Sequence, residues 1–195
     1  VAQGATRTLA MLINDVLDTV RMDIADDTLR LHPQTVDPRA LAQVLAQAWG
    51  PVAKSKHIEF KLELAADVPA AATLDPLRVK QVLTNLLSNA FKYTQQGRVV
   101  LRAEMIDAAL RFAVADTGIG IPPEQIERVF QPFQTLDDAA IQAGNGSGNG
   151  SSNGQHSDGS DSSGLGLSIC RRMAQLMGAR LIMQSEPGRG TTIIL

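Results

Sequence analysis

At 195 residues, 44% of them hydrophobic, the chain is long enough for one well-filled core or two small domains. A formal charge of −2 and only 4% aromatic residues leave no basic, base-stacking surface, so nucleic acid is not the expected partner. The single cysteine, Cys170, excludes an internal disulfide framework and fits a reducing compartment; its place in an apolar helical pattern suits a buried structural thiol. No apolar run approaches the ~20 residues of a membrane span, and no signal peptide is visible. The chain opens on Val1 rather than methionine and stops inside the apolar run Thr191 to Leu195. It therefore reads as a cytoplasmic piece of a longer protein, with any membrane attachment outside it.

In chain order, Ala2 to Met22 places Leu9, Ile13, Val16 and Val20 at steps of four, three and four, the a/d seam of a bundle or coiled coil. Such a seam implies a partner helix or a second subunit. Asp23, Asp26 and Asp27 end the pattern and open a connector to about Val36. Asp37-Pro38 is a helix start, aspartate as N-cap and proline first in the helix. The spacing predicts Leu41, Val44, Leu45, Ala48 and Trp49 facing inward, with an end near Lys54. Ile58 to Leu64 alternates apolar and polar, as a half-buried strand does. After a short strand, Asp75-Pro76 repeats the cap-then-proline start. The helix that follows buries Val79, Leu83, Leu86, Leu87 and Ala90 on one stripe and sets Asn85, Asn89 and Lys92 on another. Two amide oxygens one turn apart suit a hard cation, and the ammonium suits phosphate.

Arg98 to Met105 and Leu110 to Ala115 read as strands joined at Asp107-Ala108-Ala109. Ile121-Pro-Pro-Glu opens a short helix to about Phe130. Gly144 to Gly164 is almost wholly Gly, Ser, Asn and Asp, the composition of a mobile loop. Leu165 to Met177 returns to helix and stops at Gly178. Arg180 to Gln184 and Thr191 to Leu195 close the chain around Pro187-Gly-Arg-Gly190. Strands interleaved with helices and hairpins predict an α/β fold: a mixed sheet with helices on one face.

Three short patterns bear on chemistry. Asp116-Thr-Gly-Ile-Gly-Ile121 follows a strand, so a carboxylate can accept from an exocyclic amine while Gly118 and Gly120 let the backbone approach a ring. Taken alone it is more often a plain turn. Gly164-Leu-Gly-Leu167 opens a helix, whose free amides bind phosphate. Phe130-Gln-Pro-Phe133, by itself, is an apolar anchor at the base of a loop.

The order of five motifs is more specific than any one of them. Asn85-x-x-x-Asn89-Ala-x-Lys92-Tyr93, Asp116-x-Gly118-x-Gly120, Phe130-x-Pro-Phe133, Gly164-Leu165-Gly166-Leu167 and Gly188-x-Gly190-Thr191 resemble the catalytic domain of sensor histidine kinases. That family shares its ATPase fold, the Bergerat fold, with type II topoisomerases, a heat-shock chaperone and mismatch-repair ATPases. The resemblance covers roughly Pro38 to Leu195, and Leu12-Ile-Asn-Asp-Val-Leu-Asp-Thr19 looks like the second helix of the family's dimerisation hairpin. It implies residues 1–30 as part of that hairpin with its connector, and residues 31–195 as the ATP-binding domain, a two-layer sandwich with ATP between helices and a mobile lid.

The resemblance also implies roles. Asn89 would ligate Mg2+ bridging the ATP phosphates, with Asn85 beside it, Lys92 meeting phosphate and Tyr93 near the nucleotide. Asp116 would accept from the adenine amine, with Gly118, Gly120, Ile121 and Thr191 shaping that end of the pocket. Phe130 and Phe133 would anchor the lid, and Gly164, Leu165, Gly166 and Leu167 would turn backbone amides to the phosphates. Expected partners are the protein's own hairpin, a second subunit, and a response regulator or receiver domain.

Hydrolytic relatives carry a glutamate, the general base for water, where this chain has Asn85. An amide takes no proton at neutral pH, so the γ-phosphate survives for transfer to a histidine. His32, His57 and His156 do not match the family's acceptor, which is expected upstream of Val1. Gln134 to Ser163 contains no Lys or Arg but does contain Asp137, Asp138, Asp158 and Asp161, a departure from relatives with a basic lid. The alternatives are a degenerate nucleotide-binding or dimerisation module without phosphotransfer, and an anti-sigma-type serine kinase. The Leu9–Val20 seam and the amide at position 85 argue for the histidine kinase.

Overall fold

The computed structural model describes residues 30–134 and 164–195. The seam from Leu9 to Val20, His156 and nearly all of the Gly/Ser-rich stretch lie outside the described residues. The main sheet is mixed, as the interleaved pattern predicts. Strands β2 (Glu59–Leu64), β4 (Arg98–Ile106), β5 (Ala109–Asp116), β6 (Ile182–Glu186) and β7 (Gly190–Ile194) run in the spatial order β2-β4-β5-β7-β6. β2 and β4 are parallel and every other neighbour is antiparallel. Val99, Leu101, Ala103, Phe112, Val114 and Ile193 point from the sheet into one core shared with the helices. Alternation along each strand puts these residues on a single face.

Three helices cover that face. α1 (Pro38–Lys56) starts as expected, the Asp37 side chain accepting from the Arg39 N–H at 2.8 Å with Pro38 in the first turn. It runs past Pro51 and closes on His57, which takes a left-handed conformation at φ 56. Its buried stripe is Ala42, Leu45 and Ala53, with Leu41 and Trp49 partly buried. Val44 is 52% exposed and Ala48 is also exposed, against expectation. At about 100° per residue the stripe centres on the Ala42–Trp49–Ala53 side, which leaves Val44 more than a quarter turn away.

α2 (Pro76–Tyr93) buries the expected stripe together with Val82 and Phe91. Phe91 stacks on Trp49 with ring centroids 5.4 Å apart and meets Phe60 edge-on at 5.4 Å, fixing the end of α2 against α1 and β2. α3 (Gly166–Leu176) packs on α2 through Ile169, Cys170 and Met173 and stops at Gly178, φ 67. Cys170 is fully buried, its thiol 3.8 Å from the Val82 carbonyl, as a structural thiol should be.

Two further features differ from expectation. Residues Gln34–Val36, read as connector, form strand β1 and pair antiparallel with β3 (Ala72–Leu74). The connector is also tied to α2, because buried Asp75 accepts from both the Arg78 N–H (3.0 Å) and the His32 N–H (2.9 Å). β3 is the short strand expected before Asp75-Pro76, whereas Gln34–Val36 carries too little pattern to be legible in advance. The expected helix from Ile121 to Phe130 is instead two 3₁₀ turns, Pro123–Gln125 and Arg128–Phe130. Adjacent prolines supply no N–H at the start, and the Ile126 N–H reaches back only to the Pro123 carbonyl.

Candidate functional site

β5 delivers Asp116 to the edge of the helical layer, half-buried, and the chain turns at once. Asp116 Oδ1 accepts from the Gly118 N–H at 2.8 Å and from the Thr191 N–H at 3.3 Å. Those two bonds fasten the Asp116–Gly120 loop to itself and to β7. Burial pushes the Asp116 carboxyl above the ordinary aspartate value, and the two N–H donors only partly oppose it. Oδ2 accepts from no described residue. One oxygen thus holds the loop while the other is open to an outside donor.

The glycines of the loop are needed for close approach. A Cβ on Gly118 would run into the Tyr93 carbonyl, and the Ile119 N–H donates to that same carbonyl at 3.3 Å. Gly120, at φ 67, lies against the Glu186 carbonyl, where no side chain fits. The loop is therefore wedged between the end of α2 and the β6–β7 hairpin. Ser185 completes the wedge. Its Oγ accepts from the Ile121 N–H at 2.7 Å and lies 2.8 Å from Thr191 Oγ1 and 3.1 Å from the Gly190 carbonyl. Sequence reasoning missed Ser185: a serine on an alternating edge strand carries no signal of its own.

On α2, Asn85, Asn89 and Lys92 are half-buried along one side, and neither carboxamide hydrogen-bonds to another described residue. Lys92 Nζ lies 5.0 Å from the centroid of the Tyr93 ring. At the start of α3 the N–H groups of Gly166 and Leu167 have no intrahelical acceptor, as at any helix N-terminus. Gly164 takes φ 66 and its carbonyl accepts from the Phe133 N–H at 3.1 Å, which joins the described residues on either side of 135–163.

Four residues named for the pocket and its lid divide by exposure. Leu165 is 1% exposed in the main core, and Ile121 and Phe130 are buried with Val129 in a second small cluster. Their apolar side chains leave the surface and hold backbone in place, so they offer a ligand main chain only. Phe133 is 68% exposed at φ 63, so its ring anchors nothing among the described residues; its backbone N–H does. Arg171, not marked in advance, places its guanidinium 4.5 Å from the Phe130 ring centroid and pairs with Glu127 at 3.0 Å, tying α3 to the 3₁₀ turns.

The donor chemistry fits a nucleotide with Mg2+. Among the described residues no three His, Cys, Asp or Glu side chains cluster as a metal cage. A hard ion that keeps its waters and shares phosphate oxygens needs only one or two protein oxygens, and Asn89 with Asn85 can supply them. The arrangement defines a class: an α/β sandwich holding a carboxylate and a wedged glycine loop at one end of a helix that carries two amides and an ammonium, with a second helix, its first N–H groups free, packed against it.

Residues 74–195 match the family described as histidine kinase-, DNA gyrase B-, and HSP90-like ATPase, and the chain belongs to that family. It is 36% identical over 197 residues to the virulence sensor protein BvgS of Bordetella bronchiseptica, covering 99% of this chain and 14% of that protein. Full-length ShkA, solved with AMPPNP, superposes with a TM-score of 0.77 at 30% identity, over 96% of this chain and 35% of that one. Histidine kinase ThkA, solved with the response regulator TrrA, shares the fold with a TM-score of 0.70 at 22% identity, over 97% of this chain and 47% of that one. The chain thus spans about a seventh of the length of BvgS.

Proposed function

We propose that this chain is the ATP-binding catalytic domain of a two-component sensor histidine kinase, residues 31–195, preceded by part of a dimerisation hairpin. It would transfer the γ-phosphate of ATP to a histidine on that hairpin, for relay to a response-regulator aspartate. The observation that carries the reading is the division of labour within Asp116: one oxygen bound to two backbone N–H groups, the other open. An acceptor so fixed selects a purine that presents an exocyclic amine, as adenine does and guanine does not at that edge. ShkA, solved with AMPPNP, supports an adenine nucleotide as the ligand.

Each residue then has a task. Asp116 Oδ2 receives the amine. Gly118, Gly120 and Thr191 shape the ring pocket, with Tyr93 beside it. Lys92 places positive charge on the phosphates, and the N–H groups of Gly164, Gly166 and Leu167 donate to them. Asn89, with Asn85 beside it, would hold Mg2+, which when bound supplies positive charge against the phosphate oxygens. Asn85 takes no proton from water, which preserves the γ-phosphate for a protein nucleophile.

His32 and His57 are exposed, the first joined to Asp75 through its backbone N–H and the second closing α1, and neither matches the family's acceptor motif. The test has two parts. Calorimetry should show ATP binding that strengthens with Mg2+, and γ-labelled ATP should label a separately supplied hairpin domain but not this chain. Acid-labile label on this chain alone would overturn the assignment of the acceptor. ATP binding with no transfer to any hairpin would favour the degenerate module.

A further inference from the structure

We infer that Ser185 is a positioning residue that fixes which way the Thr191 hydroxyl points its proton, and through it how the pocket reads the purine edge. The inference rests on the adenine-binding role proposed for Asp116. It follows from counting protons in a small network. Ser185 Oγ accepts from the Ile121 N–H at 2.7 Å, which leaves it one proton to give. Two oxygens are in reach, Thr191 Oγ1 at 2.8 Å and the Gly190 carbonyl at 3.1 Å.

The two choices have opposite consequences. If Ser185 donates to Gly190, Thr191 must spend its own proton on Ser185 and can offer a ligand only a lone pair. If Ser185 donates to Thr191, the nearer oxygen, the Thr191 proton is released toward the pocket. The second choice makes a chain with every donor in one direction: Ile121 N–H to Ser185, Ser185 to Thr191, Thr191 to the ligand. Successive bonds of this kind polarise and strengthen one another.

Thr191 is held in register for this, since its N–H donates to Asp116 Oδ1 at 3.3 Å. A free acceptor on Asp116 beside a free donor on Thr191 complements the edge of adenine, an amine donor next to a ring-nitrogen acceptor. The edge of guanine and hypoxanthine reverses both. Ser185 touches neither group of the ligand. It acts through Thr191.

Binding of ATP, ADP and ITP to the intact 195-residue chain tests this by calorimetry, with Ser185→Ala, Ser185→Thr, Thr191→Val and the Ser185→Ala/Thr191→Val double variant. Ser185→Ala should weaken ATP and ADP alike, by about tenfold, and narrow the preference for ATP over ITP; Ser185→Thr, which keeps the hydroxyl, should restore both to within about threefold. In the Thr191→Val background, Ser185→Ala should cost almost nothing more, because its effect runs through a hydroxyl already gone. Losses that multiply independently in the double variant, or a Ser185→Ala chain that keeps its ATP-over-ITP preference, would overturn the inference. An unaltered chain that binds ATP and ITP equally would overturn the adenine role of Asp116, and this inference with it.

Discussion

Replacing Asp116 with asparagine should convert the pocket from one that welcomes an amine to one that repels it, with little effect on the fold. An asparagine can keep its Oδ1 where the aspartate oxygen accepts from Gly118 at 2.8 Å and Thr191 at 3.3 Å. Its amide nitrogen then occupies the open position and presents a donor to a donor. A hydrogen bond to a charged acceptor contributes roughly 1.5–3 kcal/mol, so ATP affinity should fall about tenfold to a hundredfold. ITP carries an oxygen where ATP carries the amine, and it should lose far less or gain. Relief of the buried charge acts the other way on stability. The carboxyl is held above its ordinary pKa, so in the folded protein it costs stability as pH rises past the unfolded value, and asparagine removes that cost. The melting temperature near neutral pH should therefore hold or rise. Calorimetric titration with both nucleotides, beside a thermal melt followed by circular dichroism, reads every arm. An Asp116→Asn chain with unchanged ATP and ITP affinities would show that the open oxygen faces no ligand.

Asn89→Ala should abolish most of the Mg2+ enhancement of ATP binding while leaving metal-free binding within about threefold, measured by titration with and without chelator. Gly190→Ala should destabilise the domain by more than ~2 kcal/mol, because its φ of 105 suits only glycine and a Cβ would run into the Asp116 carbonyl; a melt lowered by less than ~4 °C would speak against that packing. Asp75→Ala should cost about 1–2 kcal/mol by removing the cap on α2 and the tie to His32. Burial tends to raise the Asp75 carboxyl, but the His32 and Arg78 N–H groups and the Arg78 charge together hold it below the ordinary 3.8. Its stabilisation is complete above that value and lost as pH falls below it toward the folded pKa, so the gap between Asp75→Ala and the unaltered chain should close in acid denaturation. ATP affinity should respond earlier, weakening as pH falls through the raised pKa of Asp116.

The long regular elements were legible because they carry repeated information. The stripe Val79, Leu83, Leu86, Leu87, Ala90 and the two Asp-Pro starts are each over-determined by spacing and capping, and all lie where the pattern put them. What failed was local and short. Val44 and Ala48 were misplaced because an apolar residue at the margin of a stripe is consistent with two rotations of the helix. β3 lies where a short strand was expected, but its partner β1 did not show, because the two pair across more than thirty residues and no three-residue stretch encodes its partner. The motifs located the loop at Asp116 and the helix face at Asn89 without showing what braces them. Ser185 braces the loop, while Arg171 ties α3 to the 3₁₀ turns and the Phe133 N–H joins Gly164, all through contacts distant in sequence. Leu165, Ile121 and Phe130 belong to the motifs for the opposite reason, as buried supports of a surface made by others.

The stack of Trp49 on Phe91 gives the molecule an optical gauge at a useful place. Trp49 is the only tryptophan in the chain, so its emission has one source. Its ring lies nearly parallel to that of Phe91, at 6°, and Phe91 immediately precedes Lys92 and Tyr93 on α2. A shift of that last turn would change the packing and polarity around the indole. Emission intensity and colour thus record the position of the helix end beside which the nucleotide is proposed to bind, in the unlabelled protein and on the timescale of mixing.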